Sequence, residues 1–256
     1  MEKLLENKTI LIVGAGGLLG TRLVPAILAQ GGKIIAADIN IDAMTERLVS
    51  LGVDIENEHL ILTTLNVTSE ESLKQLFSTH KNIDGAVNST YPRNKTYGAH
   101  FFDVSLESFN ENLSLHLGSA FLFTQQCASY FKKHQNPLSL VNISSIYGVV
   151  APKFDIYDNT PMTMPVEYAA IKSAILHLNK YVSAYVNDSR FRINCVSPGG
   201  IFDHQPAPFL EAYKTKTHGA GMLDVGEVIG SVLFLLSEKS RYVTGQNIIV
   251  DDGFSL

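Results

Sequence analysis

The sequence predicts a doubly wound α/β fold, a seven-stranded parallel sheet covered by helices on both faces. Three observations carry this prediction. Short runs rich in Val, Ile and Leu alternate along the chain with stretches at helical spacing. Most of these runs are apolar at every position, as strands buried on both faces are, rather than apolar on alternate residues. The first run stops at a cluster of glycines that opens directly into a helical pattern.

Taken in order, 9–13 reads as the first strand and 18–30 as the first helix, with 33–38 the second strand and 42–51 a helix stopped by Gly52. A strand at 60–65 follows, then Thr68-Ser69-Glu70-Glu71 as a capping box for a helix through Phe77, and a strand at 83–87. Helical spacing runs through 105–133, a strand through 139–143, a helix through 166–186 and a strand through 192–196. A helix at 225–236 and a strand at 246–250 close the chain. Seven strands with six helical connections call for right-handed crossovers. The segments 146–165 and 200–222 resist the periodicity and each follows a strand, which is where open α/β sheets carry their binding loops.

The 256 residues fit one core, so 1–256 is expected to be one domain, with substrate-loop insertions at 146–165 and 200–222. A net charge of −5 gives no footprint for nucleic acid and no attraction to an acidic membrane surface. No apolar run reaches the roughly 18 residues of a membrane span. The first eight residues carry charges where a secretory signal needs an apolar centre, so a cytoplasmic protein is expected. Cys127 and Cys195 lack metal-ligand spacing and read as reduced, buried thiols; no metal site is expected.

Gly14-Ala15-Gly16-Gly17-Leu18-Leu19-Gly20 lies between the first strand and the first helix, where backbone N–H groups and a helix N-terminus receive a pyrophosphate. Asp38 ends the second strand, placed to accept hydrogen bonds from ribose hydroxyls, and no Arg or Lys stands at Ala15, Gly16 or Gly17 to hold a 2′-phosphate. NAD(H) is therefore expected over NADP(H). Tyr168 and Lys172 stand four apart on one helix, sharing a face, and Ser145 follows the fifth strand. A phenol titrating near 10 exchanges protons poorly at neutral pH, and a neighbouring ammonium together with the nicotinamide cation of an oxidised cofactor is expected to lower it. Such a set suits hydride transfer between a carbinol or carbonyl carbon and a nicotinamide, with Tyr168 exchanging the proton and Ser145 stabilising charge on oxygen.

On these residues the chain resembles the short-chain dehydrogenase/reductase family in its compact, Rossmann-type branch. The likeness covers nearly the whole chain through the glycine turn, Asp84-Gly85-Ala86-Val87-Asn88, Ser145 with Tyr168-x-x-x-Lys172, Asn194 to Gly199, Thr244-Gly245-Gln246 and Val250-Asp251-Asp252-Gly253. The resemblance implies that Lys172 also binds the nicotinamide ribose and that Ser144 is a non-catalytic neighbour. It extends the cofactor site to Ile39, Asn66, Val67, Asn88, Ser89, Pro198, Gly199 and Ile201, and it implies a homodimer or homotetramer joined through the helices at 105–133 and 166–186.

The chain departs from the family pattern in several places. Val13 replaces a threonine and Leu18 a glycine, so the spacing Gly14, Gly17, Gly20 is similar to that of the longer, sugar-nucleotide-modifying branch. Asn88-Ser89-Thr90-Tyr91 stands where Asn-Asn-Ala-Gly is usual, and His116 takes the place of the asparagine of a proton relay. The Ser145–Tyr168 segment is longer than usual and in this respect is similar to bacterial surface-sugar and flagellin-modification oxidoreductases. A polar, sugar-like and even phosphorylated substrate is the resulting expectation, with Arg93, Lys95, Lys214, Lys216 and His218 as candidate phosphate ligands. Two other readings stay open: a sugar-nucleotide dehydratase or epimerase, and a cofactor-binding regulator without turnover.

Overall fold

The computed structural model describes residues 3–256. In chain order its elements are β1 (Thr9–Val13), α1 (Gly20–Ala29), β2 (Lys33–Asp38), α2 (Ile41–Ser50), β3 (Leu60–Thr64), α3 (Glu70–Thr79), β4 (Gly85–Asn88), α4 (Leu106–Asn112), α5 (Ser119–His134), β5 (Leu138–Ile143), α6 (Val166–Val186), β6 (Phe191–Pro198), α7 (Ala207–Lys214), α8 (Gly226–Leu236) and β7 (Asn247–Val250). The strands form one sheet in the order β3-β2-β1-β4-β5-β6-β7, and every neighbouring pair is parallel. Strand order reverses between β1 and β4, which opens a crevice beyond their carboxyl ends.

β1 explains why its sequence is apolar throughout. Ile10 and Ile12 enter a core with Leu23 and Ile27 of α1 and Val228 and Leu235 of α8. Leu11 and Val13 point to the opposite face, among Leu73, Phe77, Phe123 and Phe131 of α3 and α5. With period-two alternation, two covered faces leave no polar position in the strand.

Several boundaries differ from expectation for identifiable reasons. The first helix starts at Gly20 rather than Leu18, because the Gly17 N–H bonds the Gly14 carbonyl at 3.1 Å and holds the intervening residues in a turn. The cap of α3 is Ser69, whose Oγ accepts from Ser72 N–H at 3.2 Å, while Thr68 turns its hydroxyl to Asn66 Oδ1 at 2.7 Å; the expected Thr68–Glu71 box does not form. The helical run at 105–133 is not continuous: a π-helical turn, Leu113–Gly118, separates α4 from α5. β6 runs on to Pro198, and Gly199 N–H bonds Val250 O at 2.8 Å, so the chain leaves the sheet in line with the crevice.

Candidate active site

A cleft of about 1360 Å³ runs along the carboxyl ends of the strands. At one end lies the glycine turn. Gly14 adopts φ +79°, and a Cβ there would sit 2.9 Å from the Ser89 carbonyl carbon, so only glycine lets β1 and β4 leave the sheet this close together. A Cβ on Gly20 would come within 2.2 Å of the Gly14 carbonyl oxygen, which seats α1 directly on the turn. Leu18 and Leu19 line the cleft where the first N–H groups of a helix have no intrahelical acceptor.

Asp38 closes this end. Its Oδ2 accepts from Gly16 N–H at 2.9 Å and its Oδ1 from Asn40 N–H at 3.1 Å, so both oxygens are fixed with lone pairs to spare. Ile39 and Val67 follow the ends of adjacent strands and line the cleft beside it. Arg47, which the sequence reading missed, also lines the cleft and donates from Nη1 to Gly16 O at 2.6 Å. A side chain at the glycines would fill this cradle, and its donors and carboxylate match a pyrophosphate and a ribose diol; the residues fit a dinucleotide.

At the other end Ser145, Tyr168 and Lys172 meet. Ser145 is buried at the end of β5, its Oγ accepting Tyr147 N–H at 3.2 Å and hydrogen-bonded to the Tyr168 phenol. Tyr168 and Lys172 share a face of α6, with the Lys172 Nζ 5.4 Å from the Tyr168 ring centre. Ser144 also borders the cleft, and its hydroxyl donates to the Lys172 carbonyl at 2.9 Å, tying the end of β5 to α6. The Lys172 Nζ donates to Ile143 O at 2.9 Å and lies 3.4 Å from His116 Nε2.

Burial sets the proton affinities here. It pushes the Tyr168 phenol above its ordinary value, and the Ser145 hydrogen bond only pulls it partway back. Lys172 by itself does not lower the phenol: its ammonium is engaged by Ile143 O and His116, and desolvation dominates. Burial also lowers Lys172 to about 8. His116, 3% exposed on the π-helical turn, is pushed down to about 2 by burial first and then by the Lys172 and Arg93 charges, so its ring is neutral. Its Nε2 can then accept from Lys172, while Nδ1 has no partner among the described residues.

Of the residues expected from the sequence, Gly14, Gly17, Leu18, Leu19, Asp38, Ile39, Asn66, Val67, Ser89, Ser145, Tyr168, Lys172, Pro198, Gly199 and Ile201 line this one cleft. Four others stand a layer behind it. Gly16 is turned to the Asp38 carboxylate, Gly20 is packed on Gly14, His116 lies behind Lys172, and Asn88 spends its Oδ1 on Thr90 N–H and Oγ1 at 3.2 and 2.7 Å. The basic cluster requires correction. Arg93 lines the cleft but Lys95, Lys214, Lys216 and His218 do not; Lys216 pairs with Asp155 at 2.6 Å and His218 packs on Gly253.

Sequence reasoning also missed the aromatic wall. Tyr91 meets the rings of Tyr168 and His116 edge-on at 5.6 and 5.0 Å, and its hydroxyl bonds that of Tyr97. Tyr147, Tyr157, Met162, Met164, Phe209, Tyr213 and Met222 complete this end. For Tyr91 the signal was present in Thr90-Tyr91, bulky where the family pattern has Ala-Gly.

A parallel seven-stranded sheet with a glycine cradle at its switch point and a Ser, Tyr and Lys set across the crevice defines a nucleotide-dependent dehydrogenase or reductase. The comparisons agree. The family model described as enoyl-(acyl carrier protein) reductase matches residues 15–255, and the chain belongs to the short-chain dehydrogenase/reductase family. It is 41% identical over 261 residues to post-translational flagellin modification protein A of Campylobacter coli, covering 99% of this chain and 100% of that one. A 7α-hydroxysteroid dehydrogenase of Bacteroides fragilis is 28% identical, covering 98% and 95% of the two chains. The crystal structure of a short-chain dehydrogenase of Leptospira borgpetersenii with bound NAD+ superposes with a TM-score of 0.87 at 30% identity, covering 100% of this chain and 95% of that one. The protein is an oxidoreductase of this family, and no helix among the described residues is long and apolar enough to cross a membrane.

Proposed function

We propose that the protein is an NAD(H)-preferring oxidoreductase acting on a polar secondary alcohol or ketone, a sugar derivative of bacterial surface-glycan or flagellin-modification chemistry. One observation carries this reading: the Ser145, Tyr168 and Lys172 side chains converge at one end of a cleft whose other end presents the glycine turn and Asp38. The name of the Campylobacter coli relative supports the sugar assignment. A nicotinamide cofactor, when bound, supplies the carbon that gives or takes the hydride. Tyr168, which keeps its proton because it is buried, donates to a carbonyl oxygen in reduction and takes the proton back in oxidation. The Ser145 hydroxyl holds that oxygen as charge develops, and the Lys172 ammonium, steadied by Ile143 O and the neutral His116 ring, supplies positive charge beside it. His116 is a positioning residue in this scheme.

Asp38 supports the preference for NAD(H), since a 2′-phosphate would meet its fixed carboxylate. Substrate recognition falls to 146–165 and 200–222. These segments pack on each other through Tyr157 and Phe209, with ring centres 5.1 Å apart. Exposed Phe121, Tyr181 and Tyr185 on α5 and α6 support a homodimer or homotetramer of a cytoplasmic enzyme. The test is a screen of sugars, polyols and sugar phosphates with NAD+ and NADP+, followed by NADH absorbance. The reading expects turnover with NAD+ on a sugar derivative. Cofactor binding without turnover would identify a regulator, and product formed with no net change in the cofactor would identify a dehydratase or epimerase.

A further inference from the structure

The substrate end of the cleft is walled by aromatic and methionine side chains, with few charges among them. Three cations line the whole cleft: Arg47, Arg93 and Lys172. Arg47 is committed to Gly16 O at the Asp38 end, and Lys172 to Ile143 O and His116. Arg93 differs. Its guanidinium lies over the Tyr91 ring, 4.8 Å from the centroid, and among the described residues it forms no ion pair or hydrogen bond.

The Tyr91 ring is fixed in turn. It is held edge-on to Tyr168 at 5.6 Å and tethered by the hydroxyl of Tyr97. The Arg93 guanidinium and the Tyr168 ring therefore both border the one Tyr91 ring. The carboxylates around this end leave it unpaired: Asp203 lines the cleft from the 201–205 loop, Glu167 is buried and accepts from Asn112 Nδ2 at 3.4 Å, and Glu111 accepts from Asn94 Nδ2 at 2.7 Å. A guanidinium resting over an aromatic ring, with its N–H fork unused, can receive a planar or multidentate anion through that fork.

We infer that Arg93 is a specificity-determining residue that binds an anionic substituent, a phosphate or a carboxylate, carried by the substrate in the cleft that Tyr168 also lines. This inference rests on the proposed function and narrows its substrate class to acidic sugar derivatives. The neutral Tyr91 and Tyr97 hydroxyls, both raised by burial, would flank the anion without repelling it.

The experiment is calorimetric titration of the NADH-loaded protein with hexose 6-phosphates, hexuronates and the parent hexoses, which reads binding whether or not turnover follows. Native protein is expected to bind one of the acidic sugars at least ~10-fold more tightly than its uncharged parent. A preference for the phosphates assigns a phosphate and a preference for the uronates a carboxylate. Arg93→Gln is expected to erase the difference and Arg93→Lys to keep part of it, with NADH fluorescence titration reporting that each variant remains folded. Equal binding of acidic and neutral sugars by native protein, or discrimination that survives in Arg93→Gln, overturns the inference. Discrimination without any NAD-linked turnover would instead leave Arg93 as an anion site and overturn the proposed reading of these sugars as substrates.

Discussion

The Asp38 end of the cleft is made of backbone held by the glycine turn after β1, beside the ends of β2 and β3, whereas the Tyr168 end is made of side chains carried by α6 and by loops that pack on one another. At the first, Gly14 and Gly20 leave no room for a Cβ, and the ligand-facing groups are main-chain donors and one carboxylate. At the second, Ile146, Tyr147, Ile156 and Tyr157 form a small core of their own with Phe209, Tyr213 and Phe254. Lys153 Nζ bonds Phe254 O at 2.7 Å, Lys216 bonds Asp155 at 2.6 Å, and Tyr213 Oη accepts Gly200 N–H at 2.6 Å. The difference teaches that one end is constrained by a shared ligand and shared geometry. The other can change its side chains without disturbing the sheet, which is where members of a family diverge in substrate.

That contrast is most open to attack at Tyr168. Tyr168→Phe removes the proton and little volume, and a loss of turnover of about 100- to 10,000-fold is expected with NADH affinity unchanged by fluorescence titration. The glycine turn should respond in the opposite way. Gly20→Ala forces a methyl to within 2.2 Å of Gly14 O, and about 1–3 kcal/mol of stability should be lost together with cofactor affinity, measured by denaturant unfolding and NADH titration. Unimpaired NADH binding in that variant would mean the turn is not the cradle.

A smaller effect is expected at Asp38. Asp38→Asn removes the fixed negative charge, and the ratio of kcat/KM for NAD+ over NADP+ should fall by about 10-fold, with Arg47 left to favour the phosphate. The smallest effect concerns stability alone. Burial holds Lys172 at about 8, against 10.5 for a lysine in water, so the folded protein carries the full cost of the buried ammonium below pH 8. Between 8 and 10.5 the unfolded chain binds the extra proton, and native stability rises with pH. Lys172→Met should therefore raise Tm by about 2–4 °C at pH 7 while turnover is lost, and its advantage should shrink as pH climbs through that interval. A Tm gap that widened with pH would reverse the sign and refute the buried-ammonium account.

The same contrast explains what could be read from the chain. The positions of the strands, the glycine turn, Asp38 and the Ser145, Tyr168 and Lys172 set follow local rules of periodicity, backbone conformation and i, i+4 spacing, and each leaves a mark in a few consecutive residues. The π-helical turn carrying His116 leaves none, because apolar spacing continues smoothly from Leu113 into α5. The wall of Tyr91, Tyr97, Tyr157 and Met164 depends on which loops pack together, a long-range outcome that no local pattern encodes. Charge misled for the same reason: Lys216 and Arg93 look alike in sequence, but one is paired with Asp155 and the other rests unpaired on Tyr91.

The central claim is that the Ser145, Tyr168 and Lys172 set drives net redox chemistry on a sugar derivative. It is tested most directly by following deuterium from 4,4-dideuterated NADH into product, in native protein and in Tyr168→Phe. The account predicts one deuterium on carbon for each NADH oxidised, with the rate in Tyr168→Phe reduced by at least ~100-fold. Product that forms while NADH is left unconsumed, or equal rates in the two proteins, would contradict it.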